Sequence, residues 1–192
     1  MAVTNRSSMG VASLQATERF EVAATALSTL AVAQLIVYAA MQIPVGILLD
    51  RFGARALLVF GAASMGLGQL LVSVADVLSV AVVGRMFVGF GDAFIFISVI
   101  RLVNGWYEGA KATRVQQLTT NIGQLGQAVS AVPFAALLHQ IGWNSTFMLL
   151  AGLSGAVVFV GLIFIVNDRP GHQISSGNQT FKQVLTQLTE NI

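Results

Sequence analysis

Three charged side chains stand inside an apolar run long enough to lie in lipid: Arg85, Asp92 and Arg101, between Val77 and Val103. A guanidinium in hydrocarbon is costly unless it faces protein or water, so Arg85 is a functional candidate by default. Asp92 follows it by about two helical turns and falls on the same face. Together they offer three chemistries. The arginine can attract an anionic solute, the carboxylate can hold a coupling ion or a proton, or the two can neutralise each other as a pair that fixes helix packing. Arg85 can also turn away, toward the first helix. Arg101 sits near the end of the run, where its long side chain can snorkel to the membrane edge.

Uncharged polar groups repeat at helical spacing. Gln34, Tyr38 and Gln42 recur every four residues, and Thr120, Gln124 and Gln127, with Asn121 beside them, form a second stripe. Such side chains avoid lipid and gain by lining a wet cavity or by bonding to another helix. Cavity lining is the expectation for Gln34, Tyr38, Gln42, Asn121 and Gln124. Covalent chemistry finds no support. The sequence shows no nucleophile–base pair, metal cluster or phosphate-cradling loop, so it points away from an enzyme and requires no metal and no cofactor. His139 and His172 stand apart without ligand spacing, and there is no cysteine.

The elements that must hold these residues follow from composition. Hydrophobic residues make up 55% of the chain and charged ones 9%, with a net charge of +2, and the mean hydropathy is +0.78. A soluble domain carries roughly a quarter of its residues charged; this chain's exterior must therefore face lipid. No basic run with interleaved aromatics suggests nucleic acid. At about 20 residues per crossing, the uncharged runs predict an all-α, polytopic bundle over residues 1–167. Its complete helices fall at roughly 29–49, 56–75, 78–103, 116–138 and 146–166, after a partial first helix at 1–12. Pro44 and Pro133 would bend two of them. Residues 139–146 supply the last turn.

Basic residues orient the bundle. Arg51, Arg55, Lys111, Arg114, Arg169 and Lys182 gather on one side and Arg19 on the other. That asymmetry places the 50–55 hairpin, the 104–114 loop and the C-terminus in the cytoplasm. Ser13 to Ala26 is then an outside segment, and the first helix is about half a crossing long. This reads as truncation, with a surface-lying segment as the alternative. Residues 168–192 are a turn-rich linker followed by Phe181, Val184, Leu185, Leu188 and Ile192 at helical spacing, a short amphipathic segment on the cytoplasmic face.

The hairpin itself carries a motif. Gly46 is expected to let two helices approach closely and Gly53 to permit the reversal. Asp50, at the membrane edge, can pair with arginines or cap a neighbouring helix, while Arg51 and Arg55 hold the hairpin inside. The stretch Gly46-x-x-x-Asp50-Arg51-x-Gly53-x-Arg55 resembles the cytoplasmic signature of the major facilitator superfamily, between its second and third helices. Ala54 stands where that signature usually has a basic residue. Gly84-Arg85-x-x-x-Gly89-x-Gly91 is similar to the family's fourth-helix signature, to which an acid at 92 does not belong. Gly142-Trp143-x-x-x-Phe147 resembles the start of the sixth helix. The glycine–proline signature of drug exporters is missing from the 123–133 region, which argues against a drug–proton antiporter. The resemblance covers about residues 1–170, the N-terminal six-helix half. It implies that Arg6 lies within the membrane, where first-helix arginines of related anion permeases contact substrate; a solvated N-terminal arginine is the rival reading.

What the resemblance implies is secondary active transport of a small solute by alternating access, in the manner of a permease or symporter of the cell inner membrane. Arg6, Arg85 and Asp92 would handle the solute and a coupling proton, and the positive residues favour an anionic solute. Asp50, Arg51 and Arg55 would form a cytoplasmic latch. Transport would require a missing C-terminal half or self-association. The rival expectation is a truncated membrane remnant that scaffolds other proteins without transporting.

Overall fold

A long apolar chain in lipid must bond its own backbone, and the described residues do so by being helical almost throughout. The computed structural model describes residues 2–164. Its helices are α1 (Ala2–Val11), α2 (Ser13–Phe20), α3 (Ala24–Ser73), α4 (Leu78–Trp106) and α5 (Gly109–Phe164). Among the described residues there is no strand. Stretches of α3, α4 and α5, Thr25–Ser73, Leu78–Trp106 and Gly109–Val158, are long and apolar enough to cross a membrane.

Two glycines decide how α3 and α5 fold back. Gly53 (φ 77°, ψ 164°) and Gly142 (φ 77°, ψ 179°) are non-helical within their helices. That backbone region is essentially closed to residues with a Cβ. Contacts along α4 show what the first break does. Arg85 meets Gln34 and Arg101 meets Asp50, so the first arm of α3 runs with α4. Gly61 lies against Gly91 and Gly68 against Gly84, so the second arm runs against it. The chain therefore reverses at Gly53. The same reasoning holds for α5. Ser130 and His139 meet Thr4 and Gln15 in ascending order, whereas Ser154 meets Asn5 and Trp143 meets Phe20 in descending order.

The sequence expects the first helical piece to stop near residue 12. Instead, helix resumes at Ser13, and bonds from Ala12 N to Ser8 O (3.0 Å) and Ala16 N to Ala12 O (2.9 Å) carry across the break. The physical reason is burial of one face: Ala12 and Ala16 are both fully buried, while Thr17 bonds the Leu14 carbonyl at 2.6 Å. The helix of α3 also begins earlier than expected, at Ala24. The segment 168–192 lies outside the described residues.

Packing explains how α4 is held against both arms of α3. Lipid tails are as apolar as leucine, so helices associate through close contact rather than water exclusion. A Cβ on Gly68 would lie 2.6 Å from the Gly84 carbonyl, and one on Gly61 would lie 2.8 Å from the Gly91 carbonyl. These pairs bring α3 and α4 backbone to backbone. Large apolar side chains point outward instead: Ile36 is 63% exposed, Ile122 67% and Val132 75%, the surface that lipid must cover. Trp143, Phe147, Phe134 and Phe20 stack at one end of the bundle, and Phe60, Phe90 and Phe94 nearer the other.

Candidate translocation site

Arg85 is 1% exposed, the largest fully buried side chain in the bundle. Glycines at 84, 89 and 91 allow this. They remove side chains around it, so α3 can close on α4; a Cβ on Gly89 would collide with the Gln34 carbonyl. The Arg85 guanidinium reaches the first helix. Its Nη1 donates to the Asn5 carbonyl (3.2 Å) and to Ser8 Oγ (3.1 Å), both on α1. Its Nη2 donates to Gln34 Oε1 on α3. Asp92 acts on it electrostatically from two turns along the same helix. A buried guanidinium needs partners that hold its charge, and α1, α3 and Asp92 supply them together.

More amides surround it. Gln69 is fully buried, and its Nε2 donates to the Asn5 carbonyl (3.2 Å), Asn5 Oδ1 (3.3 Å) and Ser8 Oγ (3.4 Å). Asn5 Nδ2 in turn donates to Ser154 Oγ (2.9 Å) on the second arm of α5. The network thus ties α1, both arms of α3, α4 and α5 around one charge.

Asp92 opens on a different space. It is 4% exposed and lines a cavity of about 250 Å³ with Phe96, Gln116, Thr119, Thr120 and Gln124, between α4 and the first arm of α5. That volume has room for several waters or a small solute. Tyr38 is half-buried, and its ring leans on Phe96 at 6.4 Å. At the 50–55 hairpin, Asp50 Oδ1 accepts from Arg101 Nη1 at 3.0 Å, with both side chains partly exposed. Arg51 is exposed and lies over the Phe52 ring at 5.4 Å; Arg55 is half-buried.

The sequence matches the family model described as Major Facilitator Superfamily over residues 1–190. The chain belongs to that superfamily. Among curated relatives, the "Probable L-galactonate transporter" of Escherichia coli (strain K12) is 26% identical over 92% of this chain and 39% of its own length. The "Probable sulfoacetate transporter SauU" of Cupriavidus necator is 28% identical over 61% of this chain and 27% of its own. The "Probable galactarate/D-glucarate transporter GudP" of Escherichia coli (strain K12) is 28% identical over 70% and 32%. The chain therefore spans under two-fifths of the length of these relatives. They are carriers, and the superfamily assignment makes this a multi-pass membrane protein with a non-enzymatic role at the level of the family.

Within this superfamily bundle the expected site residues divide. Arg85 and Gln34 meet in the buried network, so Gln34 bonds another helix rather than lining the cavity. Asp92 and Gln124 meet at the cavity, and Asn121 lines an adjoining groove with Gln117 and Thr113. Gln42 is half-buried and donates to its own helix at the Tyr38 carbonyl, 3.3 Å away. Arg6 falls in the α1 backbone, and its side chain lies outside the described residues. Two expectations are corrected. Gly46 is not a close-approach point, because a Cβ there would meet nothing within 4 Å; that task falls to Gly61, Gly68, Gly84, Gly89 and Gly91. Arg101 does not simply snorkel but partners Asp50, because the parallel run of α3 and α4 brings both helix ends to one level. Gln69 and Asn5 were missed altogether. A polar residue in mid-span, Gln69 most plainly, was the available signal.

Proposed function

We propose that this chain forms the solute-handling N-terminal bundle of a secondary active transporter for small organic anions. A fully buried guanidinium bonded to two neighbouring helices, inside a lipid-facing bundle, is the observation that carries the reading. A charge in that setting is retained where a translocation path uses it. The printed names of the three relatives, for galactonate, sulfoacetate and galactarate or glucarate, support carboxylate- or sulfonate-bearing solutes. In this scheme Arg85, with Arg6, supplies the positive field for the anion, and Asp92 exchanges a proton with the cavity. Gln34 steadies Arg85, and Tyr38, Gln42, Asn121 and Gln124 form the polar surround. Asp50, Arg51 and Arg55, joined by Arg101, latch the cytoplasmic end. In this scheme the protein sits in the cell's inner membrane with five complete crossings and a partial first helix, and that end and the C-terminus face the cytoplasm. A second six-helix half, or a second copy of this chain, completes the path, and the two sides rock about it.

Proteoliposome uptake of labelled L-galactonate and D-glucarate, with and without an inward proton gradient, tests this. Uptake by the wild type, lost in Arg85→Met and stripped of its proton dependence in Asp92→Asn, is the expected result. Sealed vesicles that take up neither anion under any gradient would overturn it in favour of a scaffold without transport.

A further inference from the structure

Two donors on different helices converge on the same two acceptors. Arg85 Nη1 reaches the Asn5 carbonyl at 3.2 Å and Ser8 Oγ at 3.1 Å. Gln69 Nε2 reaches the same atoms at 3.2 Å and 3.4 Å. Ser8 Oγ donates to that Asn5 carbonyl as well, at 2.8 Å. The carbonyl thus receives three donors, more than its two lone pairs readily serve. Arg85 cannot take up a shorter, better bond to α1 while Gln69 shares both oxygens.

The rest of Gln69 shows that this nitrogen is what positions it. The residue is fully buried, and its Oε1 has no hydrogen-bond partner among the described residues. Turning the amide over would aim that oxygen at the Asn5 carbonyl and Asn5 Oδ1, lone pair against lone pair. A buried amide that leaves its own acceptor unmet costs free energy. It is tolerated here because its NH2 group occupies the place between α1 and Arg85.

We propose that Gln69 is a positioning residue for Arg85. By competing for the α1 acceptors it holds the guanidinium out along the Gln34 side of the network, in the position from which it would meet a solute anion. It touches no solute itself. This deepens the transport reading and rests on it. The consequence is specific to hydrogen-bond chemistry. Leucine at 69 keeps the bulk, loses the competing donor and removes the unmet oxygen, so the fold survives while Arg85 sinks onto Asn5 and Ser8. Glutamate puts a carboxylate beside Arg85, draws it off Gln34 and cancels its charge until the acid is protonated.

The test is binding of D-glucarate to the purified full chain in detergent micelles, from about pH 5 to about pH 8, for wild type, Gln69→Leu and Gln69→Glu. Melting temperatures are followed in parallel. The expected result is affinity weakened about tenfold by leucine with little change in melting. The glutamate variant binds still more weakly at neutral pH and recovers as pH falls, whereas a packing role would leave no pH profile. Equal affinity in all three proteins, or weakening that merely tracks lost melting temperature, overturns the proposal. Should leucine prevent folding, the glutamate pH profile decides alone. If the wild type binds no glucarate, the solute reading fails, and the positioning is read instead from unfolding of Gln69→Leu, Arg85→Met and the double variant. Non-additivity of about threefold or more supports shared acceptors; additive effects sink the idea.

Discussion

Replacing glycine by alanine at three positions should give three different answers, because the structure assigns each glycine a different physical task. At Gly142 a Cβ would meet nothing within 4 Å, yet φ is 77°. Any cost there is conformational, about 1–3 kcal/mol for a non-glycine residue in that region. At Gly46 the same open space surrounds a helical residue. Alanine there removes glycine's entropic penalty and should stabilise by about 0.5–1 kcal/mol. At Gly91 the backbone is helical, but a Cβ would run into the Gly61 carbonyl and come within 2.6 Å of the Met65 side chain. Separating α3 from α4 there forfeits dispersion contacts along their whole seam and should cost at least as much as Gly142→Ala, roughly 1–3 kcal/mol as in other overpacked interiors.

The assay is thermal unfolding in detergent, read by intrinsic fluorescence. Trp143, 8% exposed and stacked on Phe147 at 4.5 Å, is a built-in reporter. For a protein of this size the strained and clashing variants should melt on the order of 5 °C lower, and Gly46→Ala should melt at or above the wild type. A neutral Gly142→Ala would refute the backbone argument. A Gly46→Ala variant as damaging as Gly91→Ala would refute the assignment of the close-packed seam.

Three further outcomes follow from named contacts. The Asp50–Arg101 pair is partly exposed, so Asp50→Asn should cost at most about 1 kcal/mol of stability while impairing uptake, and the exchange Asp50→Arg with Arg101→Asp should restore part of it. Trp143 Nε1 donates to the Val72 carbonyl at 2.9 Å; Trp143→Phe, which keeps an aromatic ring, should lower stability by about 1–3 kcal/mol as a buried carbonyl goes unmet, seen as a lower melting temperature by circular dichroism. Because the chain has no cysteine, Phe52→Cys and Asn144→Cys can be labelled singly in intact cells. An impermeant maleimide should reach Cys at 144 from outside and Cys at 52 only after lysis, and labelling of both from one side would disprove the orientation.

Much of the scaffold could be read before any coordinates. The all-α class followed from the scarcity of charge, because backbone in lipid has few ways to satisfy itself. The reversal at Gly53 followed from a glycine between Arg51 and Arg55 at a membrane edge, and its φ of 77° is the physical content of that reading. That Arg85 and Asp92 belong to one face of one helix is a matter of period alone. The start of α3 and the continuation of helix through Ser13–Phe20 were not legible, since Gln15, Thr17, Glu18 and Arg19 look like a polar outside segment until their partners are known. Arg19, for one, bonds Ala75 O at 2.8 Å and Asp76 at 3.0 Å.

What a sequence of this kind determines unaided is which residues are expensive in lipid, and that list held Arg85, Asp92, Gln34 and Asp50. Which of them meet is a question of rotation and register between helices. The helices here are apolar on nearly every side, with Leu35, Phe87 and Leu125 all facing outward, so the pattern along one helix does not say which flank meets which neighbour. Only the packed bundle decides that Arg85 turns to Asn5 and Ser8, that Arg101 finds Asp50, and that Gly91 rather than Gly46 carries the close contact. Those choices are made by backbone-to-backbone approach at glycines from two helices at once, a property that neither helix possesses by itself.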